Sequence, residues 1–178
     1  SLAIYVNGMR FNQPFGDTVN WDVLPDMAVA RAELAGSNPA FGLNALGGAV
    51  AFTLKDGASA PGGEIELGGG ASGRRQGSAQ YGMVAGALSA YGAASMLEDD
   101  GWRDHSPSRV RTAYANLGWD DGGAEVHLSL MGADNALTGN GPAPVELLEL
   151  RRATVFTYPD ETDNRYGRAI LSGSRALG

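Results

Sequence analysis

Few side chains in this sequence have types and spacings that could do chemistry. Asp104-His105-Ser106 brings together the carboxylate, imidazole and hydroxyl of a nucleophilic triad. Such a triad depends on how three side chains meet in space, and neighbours in sequence seldom hold that geometry. We therefore interpret this tripeptide as part of a solvated loop, and we expect no enzymatic activity.

A run of carboxylates precedes that tripeptide. Glu98, Asp99, Asp100 and Asp104 offer the hard oxygen ligands that calcium prefers, but their spacing does not match an EF-hand loop. The sequence therefore predicts no metal site and no cofactor here. His127, the second histidine, falls on a strand pattern, and we interpret it as a polar residue facing a wet interior rather than as a metal ligand.

Composition narrows the class of protein further. The chain has 178 residues, 27 of them glycine, no cysteine, Lys55 as its only lysine and a formal net charge of −7. The negative charge argues against nucleic-acid binding. No apolar run reaches the roughly 18 residues of a membrane helix. Because the sequence starts at Ser1 and opens directly into a strand pattern, we expect an internal piece of a longer protein.

The elements that position these side chains differ between the two halves of the chain. In the first half, strand patterns occupy residues 2–6, 29–34 and 49–54. Asn7-Gly8 predicts a two-residue hairpin turn, because both residues tolerate positive φ. Asp17 or Asn20 is expected to cap a helical turn over residues 21–24, and Pro25 to end that turn or begin another.

The stretch from Gly36 to Lys55 combines turn signals with the last of these strands. Ser37-Asn38-Pro39 predicts a turn, and Gly47-Gly48 before the strand indicates a close backbone approach. The stretch resembles the final block of the plug domain in TonB-dependent outer-membrane receptors. That block has a glutamate, spaced glycines and a Gly-Gly pair before a short strand and a basic residue. The matching positions are Glu33, Gly36, Phe41, Gly42, Asn44, Ala45, Gly47, Gly48 and Lys55; Ala35 departs from the family's arginine.

The resemblance implies roles for individual residues. The structural residues of the plug motif would be Gly36, Gly42, Asn44, Gly47 and Gly48. Residues 10–20 would form an apical loop that touches the imported ligand. The ligand-contacting candidates in that loop are Arg10, Asn12, Gln13, Phe15 and Asp17.

The second half of the chain has a different sequence pattern. A Pro/Gly/Ser-rich linker at residues 58–63 is expected to separate a plug portion, residues 1–57, from residues 64–178. Beyond it, segments of about ten residues alternate apolar and polar positions, as the strands of outer-membrane barrels do. The predicted strands are residues 64–67, 75–85, 88–97, 110–119, 124–133 and 165–177. In the fifth, Val126, Leu128 and Leu130 are expected to face lipid, and Glu125, His127 and Ser129 to face the plug.

The predicted connections alternate in length. Short turns at residues 85–87 and 120–123 alternate with loops at 70–74, 98–109 and 134–164 that lengthen along the chain. Short periplasmic turns and long extracellular loops are typical of outer-membrane barrels, which need at least about eight strands to close. About six antiparallel strands cannot close, so we expect the back part of a plug followed by the first strands of a larger transmembrane β-barrel.

Function follows from the resemblance as an expectation. It implies a receptor in the outer membrane of a Gram-negative bacterium for active uptake of a scarce nutrient, such as a ferric siderophore or another metal chelate. Its partners would be that small-molecule ligand, outer-membrane lipid and a TonB-type energy-coupling protein that contacts an N-terminal segment outside this sequence. Two alternatives stay open: a secreted Gly-rich β-protein acting as an adhesin or binding module, and a small barrel that closes with the first 57 residues.

Overall fold

The computed structural model describes residues 2–36, 45–158 and 160–176, and these form two β-sheets. The first, the small sheet, has the strand order β2-β1-β4-β3. Its strands are β1 (Ala3–Val6), β2 (Met9–Arg10), β3 (Val29–Ala35) and β4 (Ala49–Leu54). β1 pairs antiparallel with β2 and parallel with β4, which pairs antiparallel with β3.

Local sequence signals explain most of this sheet. Asn7 and Gly8 have φ values of 48° and 76°, so the predicted β1–β2 turn is confirmed. Two 3-10 turns, Trp21–Val23 and Asp26–Ala28, replace the expected helical turn, and Pro25 lies between them. Asn20 occupies the first N-cap position, but its side chain makes no capping hydrogen bond. The predicted side-chain cap is therefore wrong.

The second sheet, the large sheet, is an antiparallel meander in the order β10-β9-β8-β7-β6-β5. Its strands are β5 (Gly62–Gly69), β6 (Arg75–Ala85), β7 (Leu88–Asp99), β8 (Ser108–Asp120), β9 (Ala124–Thr138) and β10 (Glu161–Arg175). The expectation of about six antiparallel strands is confirmed. A short helix, α1 (Val145–Leu150), lies in the connection from β9 to β10. None of the helices among the described residues is long and apolar enough to cross a membrane.

Several strand boundaries differ from the sequence prediction, most of all those of β5, β9 and β10. The β9–β10 ladder continues beyond the pair Asp134–Arg165 as far as Thr138–Glu161, so the predicted loop at 134–164 is too long at both ends. The backbone pairing of two long strands overrides the polar local sequence there. β5 begins at Gly62, within the residues expected to form the linker. The division into two domains stays a prediction.

The two faces of the large sheet have different chemistry. Ser129 on β9 is buried, whereas its neighbour Leu130 is 44% exposed on the opposite face. The exposed apolar side chains of the outer face include Ile65, Leu67, Met83, Leu88, Leu117, Trp119, Val126, Leu130 and Leu171. The small sheet packs against the inner face, where Ile4, Val6, Phe11, Val23 and Leu54 share one core with Tyr91, Tyr114 and Met131.

Candidate ligand-binding loop and its anchors

Residues 11–20, here called the apical loop, connect β2 to the first 3-10 turn. Asn12 holds the base of this loop, because its Oδ1 accepts a hydrogen bond from the Ile4 amide at 2.7 Å. Its Nδ2 donates to the carbonyl oxygens of Leu2 at 3.0 Å and Asp17 at 3.3 Å. An amide group with these partners shapes the loop rather than offering itself to a ligand.

The other predicted ligand contacts lie on the same loop, except for Arg10, which lies at the end of β2. Arg10 forms an ion pair of 2.7 Å with Asp17, whose φ of 51° lies in the left-handed region. The Gln13 side chain accepts a hydrogen bond of 3.2 Å from Thr18 Oγ1. Phe15 is 93% exposed at the tip. The structure thus brings Arg10 and Asp17 together, whereas Phe15 projects alone into solvent.

A polar cleft lies where the apical loop meets the base of the long connection from β9 to β10. Its volume is about 500 Å³. The hydroxyl, amide and carboxylate groups that line it include those of Gln13, Thr18, Asn20, Asp22, Asp160 and Asn164. The apical loop therefore lies at the end of the large sheet that carries its longest connection.

The glycines of the predicted plug motif have unequal environments. Gly48 has a φ of 112°, and a methyl group there would collide with the carbonyl oxygen of Ala35. Among the residues that the structure describes, a methyl group at Gly36 would meet nothing within 4 Å. Gly47 lies in the turn before β4, and Gly42 and Asn44 lie outside the described residues.

Asn7 is the first of several polar anchors that join the small sheet and the 3-10 turns beside it to the large sheet. Its Oδ1 accepts a hydrogen bond from the Leu54 amide at 2.9 Å, which ties the β1–β2 turn to the end of β4. Its Nδ2 donates to Tyr114 Oη at 3.3 Å and Ser129 Oγ at 3.4 Å on the inner face of β8 and β9. Sequence reasoning identified Asn7 only as a turn residue.

Lys55 is the second anchor. Its Nζ donates to the Met27 carbonyl oxygen at 2.8 Å and to Gln80 Oε1 at 2.9 Å. Gln80 also accepts a hydrogen bond of 2.6 Å from Tyr91 Oη and donates one of 2.6 Å to Glu64 Oε2. The ammonium group therefore joins the second 3-10 turn to the polar side chains of β5, β6 and β7.

Asn135 on β9 is the third anchor and is 1% exposed. Its Nδ2 donates to the Asp22 carbonyl oxygen at 2.7 Å, and its Oδ1 accepts from the Arg111 amide at 2.9 Å. Both polar atoms of this buried amide are thereby satisfied. The polar run Ala-Asp-Asn predicts the start of a loop, whereas in the structure it continues β9 and brings Asn135 to Asp22.

The triad-like tripeptide belongs to a contact between two loops. Asp104 forms an ion pair with Arg151, and its amide donates to the Ala153 carbonyl oxygen at 2.9 Å. His105 stacks on Tyr158 with ring centroids 3.9 Å apart, and Ser106 donates its hydroxyl proton to a backbone carbonyl oxygen. These contacts fix the loops and align no nucleophile with a base.

Carboxylates in this region show no metal-binding arrangement. Across the part of the chain that the structure describes, no group of three or more histidine, cysteine or acidic side chains is placed to hold a metal ion.

The small sheet packs against the inner face of the large sheet. This is the arrangement of a plug inside a barrel wall. The chain has the fold of the corresponding part of a TonB-dependent receptor. Its structure matches the siderophore receptor PiuA from Acinetobacter baumannii with a TM-score of 0.65 at 15% identity, over 78% of this chain and 20% of that one.

Two further solved structures match in the same way. FpvA of P. aeruginosa, bound to heterologous pyoverdines, gives a TM-score of 0.61 at 16% identity, over 79% of this chain and 20% of that one. FpvAI in complex with pyocin S2 gives a TM-score of 0.61 at 18% identity, over 76% of this chain and 18% of that one. This chain thus spans about a fifth of the length of the structures that it matches. No family model and no curated protein matches its sequence.

Proposed function

We propose that this chain is the plug-and-wall portion of an outer-membrane receptor that takes up a scarce nutrient, such as a ferric siderophore or another metal chelate. One observation carries the proposal: the apical loop of the small sheet and the longest connection of the large sheet border one polar cleft. A solute that reaches this end of the molecule meets both elements at once. The likeness in fold to three siderophore-receptor structures supports the same conclusion.

The five candidate residues, Arg10 at the end of β2 and four in the apical loop, divide into two roles. Phe15, which is exposed, and Gln13, which lines the cleft, are the side chains that we assign to ligand contact. Arg10 and Asp17 form a partly buried ion pair, and Asn12 bonds three backbone groups. These three residues hold the loop in the shape that presents the other two.

Uptake requires the plug to move, and for this the hydrogen bonds of the anchors Asn7, Lys55 and Asn135 have to break. A plug held by polar contacts to the wall is a two-state element, which a ligand on one side and a partner protein on the other can bias. We assign the energy for this change to a TonB-type coupling protein. The outer apolar face of the large sheet would contact outer-membrane lipid, and further strands would pair with β5 and β10, because open sheet edges are not tolerated in lipid.

The test is ligand uptake by the full-length protein. We expect Phe15→Ala and Gln13→Ala to weaken binding of ferric chelates by roughly tenfold, the loss expected for one good contact of about 1.4 kcal/mol. Arg31→Ala is the matched control, since Arg31 lies on β3 with its side chain 64% exposed in a surface ion pair. The cells should take up iron under limitation only when the receptor is present. A product recovered as a secreted soluble protein with no uptake would instead support the adhesin alternative.

A further inference from the structure

Charged side chains cross the large sheet at the end where the long connections leave it. They occur on every strand from β6 to β10 and are here called the arginine strip. Its members are Arg75, Glu98, Arg109, Arg111, Asp134 and Arg165. In the register of the sheet, each of the two carboxylates lies between two arginines, one on either neighbouring strand.

The arginine strip lies on the outer face, away from the small sheet. Asn135 is buried on the inner face, and side chains alternate along a strand, so its neighbour Asp134 lies on the outer face. Arg111 and Arg165 are the cross-strand partners of Asp134 and share that face. Their side chains are 51% and 91% exposed. The register places the other members of the strip on the same face.

Ion pairs within the strip use only part of its hydrogen-bonding capacity. Arg111 Nη2 lies 3.0 Å from Glu98 Oε1. Asp134 is shared by two arginines, with Arg109 Nη2 at 3.4 Å and Arg165 Nε at 3.8 Å. Each guanidinium carries five N–H donors, and exposed ion pairs of this kind contribute little to stability. The strip therefore offers N–H donors beyond those in its own ion pairs.

The charge of the strip differs from that of the chain, whose formal net charge is −7. The row of the strip that lies next to the apolar side chains has two arginines, Arg111 and Arg165, for one carboxylate, Asp134. Asp163 and Glu161 follow on the same face of β10, further from the apolar side chains. A local excess of positive charge on an acidic chain favours an anionic partner at this place.

The depth of the strip in the sheet indicates which kind of anion can reach it. Between the strip and the short turns, the outward positions of β8 are uncharged: Ala113, Ala115, Leu117 and Trp119. From Arg111 to Trp119 the strand rises about 27 Å at about 3.4 Å per residue, or about 20 Å along the membrane normal at a tilt near 40°. Lipid-facing apolar bands are about 25 Å tall. The strip therefore lies where the apolar band ends, at the depth of lipid headgroups.

We propose that the arginine strip binds the phosphate groups of anionic lipids in the outer leaflet of the membrane. The inference rests on the proposed function, which places the apolar face in lipid and the long connections outside the cell. A guanidinium binds phosphate oxygens through two parallel N–H···O bonds, and such charge-assisted bonds are roughly twice as strong as neutral ones. Glu98 and Asp134 space the arginines across the sheet, and the lipid phosphates accept from the donors that the ion pairs leave.

Lipid retention by the full-length protein tests the proposal. The protein is reconstituted in vesicles of phosphatidylcholine mixed with phosphatidic acid and extracted in mild detergent, and its retained lipids are counted by native mass spectrometry. We expect phosphatidic acid, whose headgroup is a phosphate monoester, to be enriched over phosphatidylcholine. Arg111→Gln and Arg165→Gln should each lower this enrichment roughly fivefold, as for one basic residue near an anionic lipid surface.

Arg175→Gln is the matched control. Arg175 is exposed on the same face of β10, at the end with the short turns, and its loss should keep the enrichment. Arg111→Lys and Arg165→Lys are milder variants that keep the charge but lose the planar fork of donors. Their enrichment should lie between those of the wild type and the glutamine variants.

A comparison of sodium phosphate with sodium chloride at equal ionic strength distinguishes a lipid headgroup from a free anion. The enrichment should be the same in both salts, and its loss in phosphate alone would overturn the proposal in favour of a site for free phosphate. Equal retention of the two lipids, or full enrichment in Arg111→Gln and Arg165→Gln, would overturn the proposal and leave the proposed function intact. A protein that inserts into no vesicle would overturn both.

Discussion

At the scale of single residues, small polar groups hold the small sheet to the large one. Asn7 is the clearest case, because one side chain bonds β4, β8 and β9. Tyr114 and Ser129, which accept its hydrogen bonds, are 3% and 7% exposed. Removing the amide takes the acceptor away from the buried Leu54 amide and one donor away from each of the two hydroxyls, and an unsatisfied buried donor costs more than a hydrogen bond itself contributes.

We therefore expect Asn7→Ala to lower the free energy of unfolding by about 1–3 kcal/mol. Equilibrium unfolding in detergent with urea measures this change. Arg31→Ala, at an exposed surface pair, should cost less than about 1 kcal/mol. Equal effects of the two substitutions would contradict the assignment of Asn7 as an anchor.

Asp121 illustrates a residue whose role depends on pH. Backbone hydrogen bonds from Gly123 at 2.9 Å and Ala124 at 2.8 Å hold the pKa of its carboxyl below the ordinary value of 3.8. A lowered folded-state pKa means that the carboxylate stabilises the β8–β9 turn above about pH 4. This contribution is lost as the pH falls through the lowered pKa.

Amide exchange at Gly123 and Ala124 should therefore become faster in acid relative to the intrinsic rate. Asp121→Asn should remove most of this pH dependence, because the amide oxygen still accepts hydrogen bonds but does not titrate in this range. NMR or mass-spectrometric exchange measures the effect. Unchanged pH dependence in Asp121→Asn would show that another group controls the turn.

At the scale of elements, β4 depends on a glycine at the position before it, because the backbone there has a positive φ and little free space. Gly48 combines a φ of 112° with close approach to the Ala35 carbonyl oxygen, whereas a methyl group at Gly36 would contact none of the described residues. Both belong to the same predicted plug motif, so they form a natural pair for comparison. The pairing of β3 with β4 starts at Ala35 and Ala49, next to Gly48.

We expect Gly48→Ala to destabilise the protein by about 1–3 kcal/mol through backbone strain and the collision with Ala35. Gly36→Ala should change stability by no more than about 0.5 kcal/mol in either direction. Thermal or urea unfolding distinguishes the two. Equal effects at both positions would mean that the motif does not act through this close approach.

Elements with strong local signals were predictable from the sequence, and contacts between distant residues were not. β4 and β6 have the predicted bounds, because turn residues flank each of them on both sides. The hairpin at Asn7-Gly8 was predictable for the same reason. The extension of β9 through Asn135 was not, because it depends on pairing with β10 and on Asp22. Whether the five candidate residues bind a ligand stays a prediction.

At the scale of the whole molecule, the outer face of the large sheet decides between a membrane protein and a soluble one. Leu130 and Leu171 on β9 and β10 are 44% and 74% exposed on this face. In water such a surface favours aggregation, whereas in lipid it is stabilising. Outward-facing charged pairs, including Arg111 with Glu98 at 3.0 Å, lie toward the end with the long connections.

We expect Leu130→Arg to cost about 2–4 kcal/mol in the membrane-inserted protein, as arginine does near the bilayer midplane. Glu149→Lys on the exposed helix α1 is the control and should have little effect. Folding yield in lipid vesicles measures both. A tolerated Leu130→Arg, together with solubility in water, would favour the adhesin alternative.

The spacing of the Asn7 contacts along the chain also constrains the order of folding. Its partners Tyr114 and Ser129 lie 107 and 122 residues away in sequence. Contacts of such high sequence separation slow folding, because a long loop must close before they form. The β1–β2 hairpin therefore cannot form its contacts with the large sheet until β8 and β9 have been synthesised and paired. During synthesis, the small sheet therefore has to wait for β8 and β9 before its Asn7 contacts can form.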